Sequence, residues 1–358
     1  MRPPKMFSWV IVFIIAAFIK IFSLFPFAVE QYYSKGLYPY IAATQRILLG
    51  WIPFSIGDLL YLFVAIYWLR KLIIVIIRLF KKKSSKQYWS GIFKEVIFVI
   101  LVIYILFNAL WGLNYNRPPM EQQIGLTLGA YTTENLREVL GALKINLDDI
   151  DSTARLYRAD LYRKRTLFQE AIESYQGVSR DFPELQYRFA SVKPSLYSYL
   201  GNYLGFTGYY NPFSGEAQAN TTVPAFVQPF TTCHEIGHQL GYAKENEANF
   251  AGFLAARSSF NPAFKYSVYF DMYAYTIREM YRRDSVTAKD LMSRLKPDVK
   301  EDFKIISRFY KKYENPFEPI IRKLYGKYLK ANEQPAGIKS YNDVVAMLIG
   351  YRKKFGHI

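Results

Sequence analysis

The stretch Thr231-Thr232-Cys233-His234-Glu235-Ile236-Gly237-His238-Gln239-Leu240-Gly241 holds two of the three histidines in the chain, four residues apart. On a helix, positions i and i+4 share a face, so both imidazoles can grip one metal ion. Glu235 points toward the same ion and suits the general base of metal-assisted hydrolysis. The plain alternative is a helix with two ordinary histidines and a solvated glutamate. Zinc is the expected cofactor, since a catalytic zinc takes three protein ligands and keeps one position open.

A third ligand must come from nearby. Gly241 follows His238 by three residues, where a helix can end on a left-handed residue. The run Lys244–Ala256 then reads as a second helix folded back beside the first. Glu245 and Glu247 both lie at its start. Glu245 is preferred, because Asn249 sits one turn later on the same face and can orient a ligand histidine from behind. Glu247 points about 160° away from Asn249 on a helical wheel and reads as a carboxylate favoured by the helix dipole. The one cysteine, Cys233, allows no intrachain disulfide. It lies about 100° round the helix from His234 and reads as a small core residue.

His234-Glu235-x-x-His238 followed by Glu245-x-x-Ala248-Asn249 resembles the metal site of gluzincin-type zinc metallopeptidases. The resemblance implies His234, His238 and Glu245 as ligands and Glu235 as base. Only six residues separate His238 from Glu245, fewer than is usual there. The short glycine turn is closer to the metzincin layout, but no third histidine follows. The longer stretch Phe206–Asn220, taken with three upstream hydrophobic spans, resembles a family of bacterial membrane proteins known only as a domain of unknown function.

The chain has 358 residues, of which 51% are hydrophobic and 18% aromatic, enough for a sizeable core and for two units. Residues 1–115 are far more apolar than 116–358. Spans are expected over about 7–29, 55–80 and 96–113. Arg2 and Lys5 give the first a basic start, but its apolar stretch is too long for a signal peptide and no cleavage site closes it. Tyr32, Tyr33, Tyr38 and Tyr40 suit an aromatic belt. Asp58, Arg70 and Lys71 interrupt the second span. Arg2 and Lys5, and then Arg78, Lys81, Lys82, Lys83 and Lys86, mark cytoplasmic ends, against Lys35 and Arg46 alone in the 30–54 loop. The expectation is a multi-pass cell-membrane protein whose domain over 116–358 is extracytoplasmic. The net charge of +17 fits attraction to a membrane surface. No nucleic-acid-binding pattern occurs, so the bilayer and a peptide or protein substrate are the expected partners.

The later domain reads as mostly helical and zincin-like, with a small β-sheet at the cleft; the whole chain is mainly α. Thr132 caps a helix, and Asn146–Tyr175 carries leucine and isoleucine at helical intervals. Pro183 and Pro194 break the pattern. The segment 206–226 reads as short strands and loops; the zincin resemblance implies an edge strand beside the metal helix for an extended peptide, with Ala217–Val223 as its candidate, against a structural hairpin without substrate contact. A helix is expected over 263–283, then amphipathic segments over 287–295, 298–313, 316–329 and 341–355. Tyr209, Tyr210, Tyr242 and Tyr273 are candidate transition-state stabilisers, since no spare histidine serves. His357 reads as inert. The expected function is a membrane-anchored zinc metallopeptidase. The alternatives are a catalytically inactive zinc-binding or peptide- or envelope-binding membrane protein, and a membrane scaffold in which the motif is fortuitous.

Overall fold

The computed structural model describes residues 6–82, 85–335, 337 and 343–358. Helix α1 (Met6–Phe22) stops shortly before Pro26. Proline disfavours helical backbone at the residue before it, and Phe25 takes φ −115° and ψ 80°. A short α2 (Pro26–Ala28), a π-helical stretch Val29–Leu37 and α3 (Tyr38–Leu49) follow, bent by 103° from α1. The straight span expected over 7–29 is therefore a helix and a sharp corner.

Helices α4 (Ile56–Phe80) and α5 (Lys86–Leu110) are each long and apolar enough to cross a membrane, and the bent pair makes a third candidate. Each has 25 residues. That length rises about 37 Å, beyond the roughly 30 Å of a hydrocarbon core. Helix α4 matches the expected second span. Helix α5 begins earlier than residue 96, because the Ser85 hydroxyl accepts from Tyr88 N at 3.2 Å and caps it there. It ends at Leu110 rather than 113, as Trp111 leaves helical backbone with φ −163°. Lys71 pairs with Glu95 of α5 at 2.6 Å, which accounts for a cation inside an apolar helix. Of the basic flanks, Arg2, Lys5 and Lys83 lie outside the described residues.

Beyond a 3-10 turn at Gly112–Asn116 come α6 (Met120–Gln123), α7 (Thr133–Tyr157) and α8 (Lys164–Val178). Thr132 and Asn135 form a reciprocal capping box at the start of α7. Next are β1 (Val192–Pro194), α9 (Ser198–Leu204), β2 (Gly208–Asn211) and β3 (Glu216–Ala219). Then follow α10 (Gln228–Gln239), α11 (Glu245–Arg257) and α12 (Pro262–Arg283), the last capped by the Asn261 side chain. The chain closes with α13 (Ser285–Ser293), α14 (Pro297–Tyr313), α15 (Glu318–Ala331) and α16 (Val344–Phe355). Tyr341, the expected start of that last helix, lies outside the described residues.

The sheet order is β1-β3-β2, with β1 parallel and β2 antiparallel to β3. The edge expected over Ala217–Val223 is thus corrected. Strand β3 is central, since Val192 of β1 pairs with Ala217 on one side and Tyr210 of β2 pairs with it on the other. The edges are β1 and β2.

The main core joins α7, α8 and α10 to α12 around residues such as Leu140, Tyr175, Phe250 and Phe270. A second cluster joins the membrane half to the site, through Val29, Tyr33, Tyr38, Trp111, Tyr210 and Ala243. Tyr33 and Tyr38 are therefore buried against protein rather than belted at an interface, whereas Tyr32 and Tyr40 are exposed.

Candidate metal centre

Helix α10 starts with Pro229 in its first turn and is buried along its whole length. Gly241 ends it, with φ +89°. The chain reverses there and α11 packs back on α10. Two glycines set how close they come. A Cβ at Gly252 would lie 3.0 Å from His234 N, and one at Gly237 would lie 3.1 Å from the Ala248 carbonyl. Larger residues would wedge the helices apart.

This close crossing brings the first turn of α11 over the histidine face of α10. Glu245 Oε2 lies 3.3 Å from His234 Nε2 and 3.6 Å from His238 Nε2. A tetrahedral ion with bonds of about 2.0–2.1 Å holds its ligand atoms about 3.3–3.4 Å apart, so the spacing fits one. His234, Glu235 and His238 are all buried and could together hold a metal ion.

The hydrogen bonding around the group supports that reading. His238 Nδ1 lies 2.8 Å from the Tyr242 carbonyl oxygen, so it carries the proton that it donates there. In the neutral ring Nε2 is then a bare lone pair facing a carboxylate oxygen. Two acceptors set face to face in a buried site need a cation between them. His234 Nδ1, Glu235 Oε2 and Glu245 Oε2 are buried without a hydrogen-bond partner. Native interiors rarely leave polar atoms in that state.

Charge follows the same geometry. Burial raises the Glu245 pKa, but contact with His234 and His238 outweighs it and holds the carboxyl well below its ordinary range. Burial pushes Glu235 up to about 8, with a smaller contribution from Glu245. Burial lowers His234; for His238 the nearby carboxylates overcome burial and raise it. Gly208 of β2 leaves room for Glu235, since a Cβ there would sit 2.6 Å from Glu235 Oε1.

The outer partners are mostly ones that spacing could not reveal. Tyr325 of α15 donates its hydroxyl to Glu245 Oε1 at 2.6 Å, and Gln334 Oε1 accepts from Glu245 N at 3.0 Å. Neither is adjacent to the motif in sequence, and no periodic signal marks them. The carbonyls at the end of α10 are taken by the membrane half. Trp111 Nε1 donates to the His238 carbonyl at 2.9 Å, and the Tyr38 hydroxyl donates to Gln239 O at 2.8 Å. The His238 carbonyl also accepts from Gly241 N at 3.0 Å, whereas a carbonyl at a helix end such as that of Gln239 is otherwise left without an intrahelical partner.

Other expected residues separate. Asn249 is buried near His234 and offsets a little of the lowering that burial imposes on its pKa. Glu247 faces away, with Oε1 accepting from Met120 N at 3.2 Å and near Lys244. Tyr209 and Tyr210 line the cleft, but Tyr209 donates its hydroxyl to Asp58 Oδ1 and Tyr210 meets the Tyr38 hydroxyl at 3.5 Å. Tyr242 offers its carbonyl to His238 while its ring lies under Arg117. Tyr273 is in the core, donating to Leu291 O at 3.3 Å, because it lies on the α12 face that meets α13. Tyr275 and Arg278, two and five residues further on and so on another face of α12, line the cleft instead. Cys233 is buried, as expected. His357 sits by Arg257, at 3.3 Å.

The two halves define a class: a mainly helical protein with helices long and apolar enough to cross a membrane and a buried His–Glu–His group that could hold a metal ion. Residues 33–349 match the family described as Protein of unknown function (DUF3810), and the chain belongs to that family. No curated protein and no solved structure matches it.

Proposed function

We infer that the protein is a membrane-anchored zinc-dependent metallopeptidase with its site on the extracytoplasmic face. The observation that carries this is the approach of Glu245 Oε2 to both Nε2 atoms, at 3.3 and 3.6 Å, with Glu235 alongside. His234, His238 and Glu245 would hold the zinc, as in the gluzincin arrangement that the motif resembles. Zinc, when bound, supplies a Lewis acid that polarises a carbonyl and lowers the pKa of water to about 7.

The chain's own groups do the rest. Glu235, set in a desolvated pocket, takes a proton from the attacking water and delivers it to the leaving nitrogen. One water is consumed, the C–N bond breaks, and a carboxylate and an amine result. His238 is fixed in one tautomer by the Tyr242 carbonyl, and Glu245 is oriented by Tyr325. Strand β2 offers an unpaired edge beside Glu235 on which an extended peptide can lie.

The orientation rests on the basic residues Arg78, Lys81, Lys82 and Lys86 between α4 and α5, which favour the cytoplasm there. The deciding experiment is metal analysis of the purified full chain, with peptide hydrolysis by wild type and Glu235→Gln. Stoichiometric zinc and cleavage that disappears in the variant support the reading; cleavage that survives Glu235→Gln overturns it. Stoichiometric zinc without any cleavage would favour the inactive zinc-binding alternative.

A further inference from the structure

The cleft holding the His–Glu–His group does not stop at the group. It is one cavity of about 1510 Å³, larger than the roughly 300–1,000 Å³ of a small-molecule site. Its far wall is built from membrane helices: Tyr61 of α4, and Ile100, Ile103, Tyr104 and Phe107 of α5. Lys20 and Ser23 near the end of α1, and Asn108 in the last turn of α5, also line it. A cleft serving a water-borne peptide has no need to run along two membrane helices.

The lips of this cavity are α9 and α15, and both show apolar faces to the outside. Leu196, Tyr199, Leu200 and Tyr203 recur at helical spacing and are exposed, Tyr199 by 71%. On α15 and just before it, Phe317, Ile320, Leu324 and Tyr328 do the same, Phe317 by 69%. Contiguous apolar surface of this kind marks a binding face. Away from that face α15 carries Arg322 and Lys330, with Lys323 and Lys327 along its flank. Apolar on one side and basic on the other is the pattern of a helix lying in a membrane interface.

Depth decides what covers these faces. Leu196 N donates to Asp58 Oδ2 at 2.7 Å and the Tyr197 hydroxyl donates to the Asp58 carbonyl at 2.8 Å, so α9 begins level with the first turn of α4. The Tyr328 ring meets Phe107, in the last turn of α5, with centroids 6.5 Å apart. The side chain of Asn315 donates to Tyr203 O at 2.7 Å and ties the two lips together. Both apolar faces thus stand at the end of the membrane helices, where lipid meets water.

We propose that α9 and α15 are seated in the bilayer interface and that the cleft takes its substrate sideways from the membrane, as a peptide bearing an apolar tail. The tail, an acyl chain or an apolar transmembrane segment, lies between α15 and α5. The peptide bond next to it reaches His234 and Glu235. The cleavage part rests on the metallopeptidase reading; the membrane seating does not.

The test uses the full chain in liposomes. Single cysteines at Leu200→Cys and Leu324→Cys carry an environment-sensitive dye, with Glu134→Cys on the exposed side of α7 as control; the native Cys233 is buried. Lipids brominated along their chains should quench the dye at 200 and 324 at least about twofold more than at 134. Equal quenching overturns the seating. In the second arm, Glu235→Gln protein meets photoreactive peptides of one sequence with no tail, a palmitoyl tail or an apolar helical tail. Tailed peptides should cross-link near Phe107 at least about tenfold more than the tailless one. The tail that labels identifies the source, and equal labelling by all three overturns the proposal. Quenching and tail-dependent labelling without cleavage by wild type would sink the peptidase reading and leave the membrane-facing cleft standing. Cleavage indifferent to the tail would do the reverse.

Discussion

Two glutamates, Glu216 and Glu245, are buried in the same half of the molecule and behave differently. Glu216 of β3 reaches into the start of α4. Its Oε1 accepts from Ile56 N at 3.1 Å, and its Oε2 accepts from Gly57 N at 2.7 Å and from the Ser214 hydroxyl at 2.9 Å. A carboxylate at a helix start, met by free N–H groups, is a finished structural joint. Glu245 has one oxygen met by Tyr325 and the other turned toward two imidazole nitrogens without a formed hydrogen bond. The first carboxylate is satisfied by protein; the second keeps Oε2 facing two imidazole nitrogens, where a cation could sit. Burial is common to both; what sets Glu245 apart is the pair of imidazole nitrogens that its free oxygen faces.

The largest expected effect breaks the second nest outright. His234→Ala or His238→Ala should drop bound zinc from about one equivalent to near zero, read by elemental analysis of purified protein. Retained stoichiometric zinc would mean the ion is held elsewhere. Glu235→Gln should keep the metal and lower peptide hydrolysis by about 10²–10⁴-fold. The first nest is probed by Glu216→Ala, which strands two N–H groups and buried hydroxyls at the start of α4. It should cost about 1–3 kcal/mol of stability with zinc content unchanged. Loss of metal in that variant would show that the two nests are coupled. Tyr325→Phe should weaken zinc binding by about 10–100-fold without unfolding the protein, read by competition with a chelator. Glu247→Ala should be the mildest toward the metal, leaving zinc stoichiometric, in contrast with Glu245→Ala.

The contrast also marks what was legible beforehand. His234, Glu235 and His238 announce themselves by spacing, and the wheel argument for Glu245 over Glu247 agrees with where the two carboxylates point. The glycine turn at Gly241 and the cap at Thr132 are readable because they depend on neighbours a few residues away. Tyr325, Gln334 and Trp111 were not, because each reaches the site through tertiary contact from a distant segment. The bend before Pro26 was hidden inside a run whose apolar length alone fits a single span. The four candidate tyrosines were chosen by residue type alone, and only Tyr209 and Tyr210 reach the cleft. Strand β3 looked like an edge because its second partner, β1, is only three residues long and leaves little pattern. Asp58 looked out of place in a membrane helix; it is the point where Leu196 and Tyr209 fasten α4 to the domain.

The bonds from Trp111 and Tyr38 to the last carbonyls of α10 carry a practical consequence. A water-soluble fragment beginning near residue 116 would forfeit both donors, together with the helix start that Glu216 caps. Such a fragment would tumble freely but present a loosened histidine helix, and its silence in an assay would say little about the full chain. Biochemistry on this chain belongs in nanodiscs or mild detergent, with its membrane helices attached.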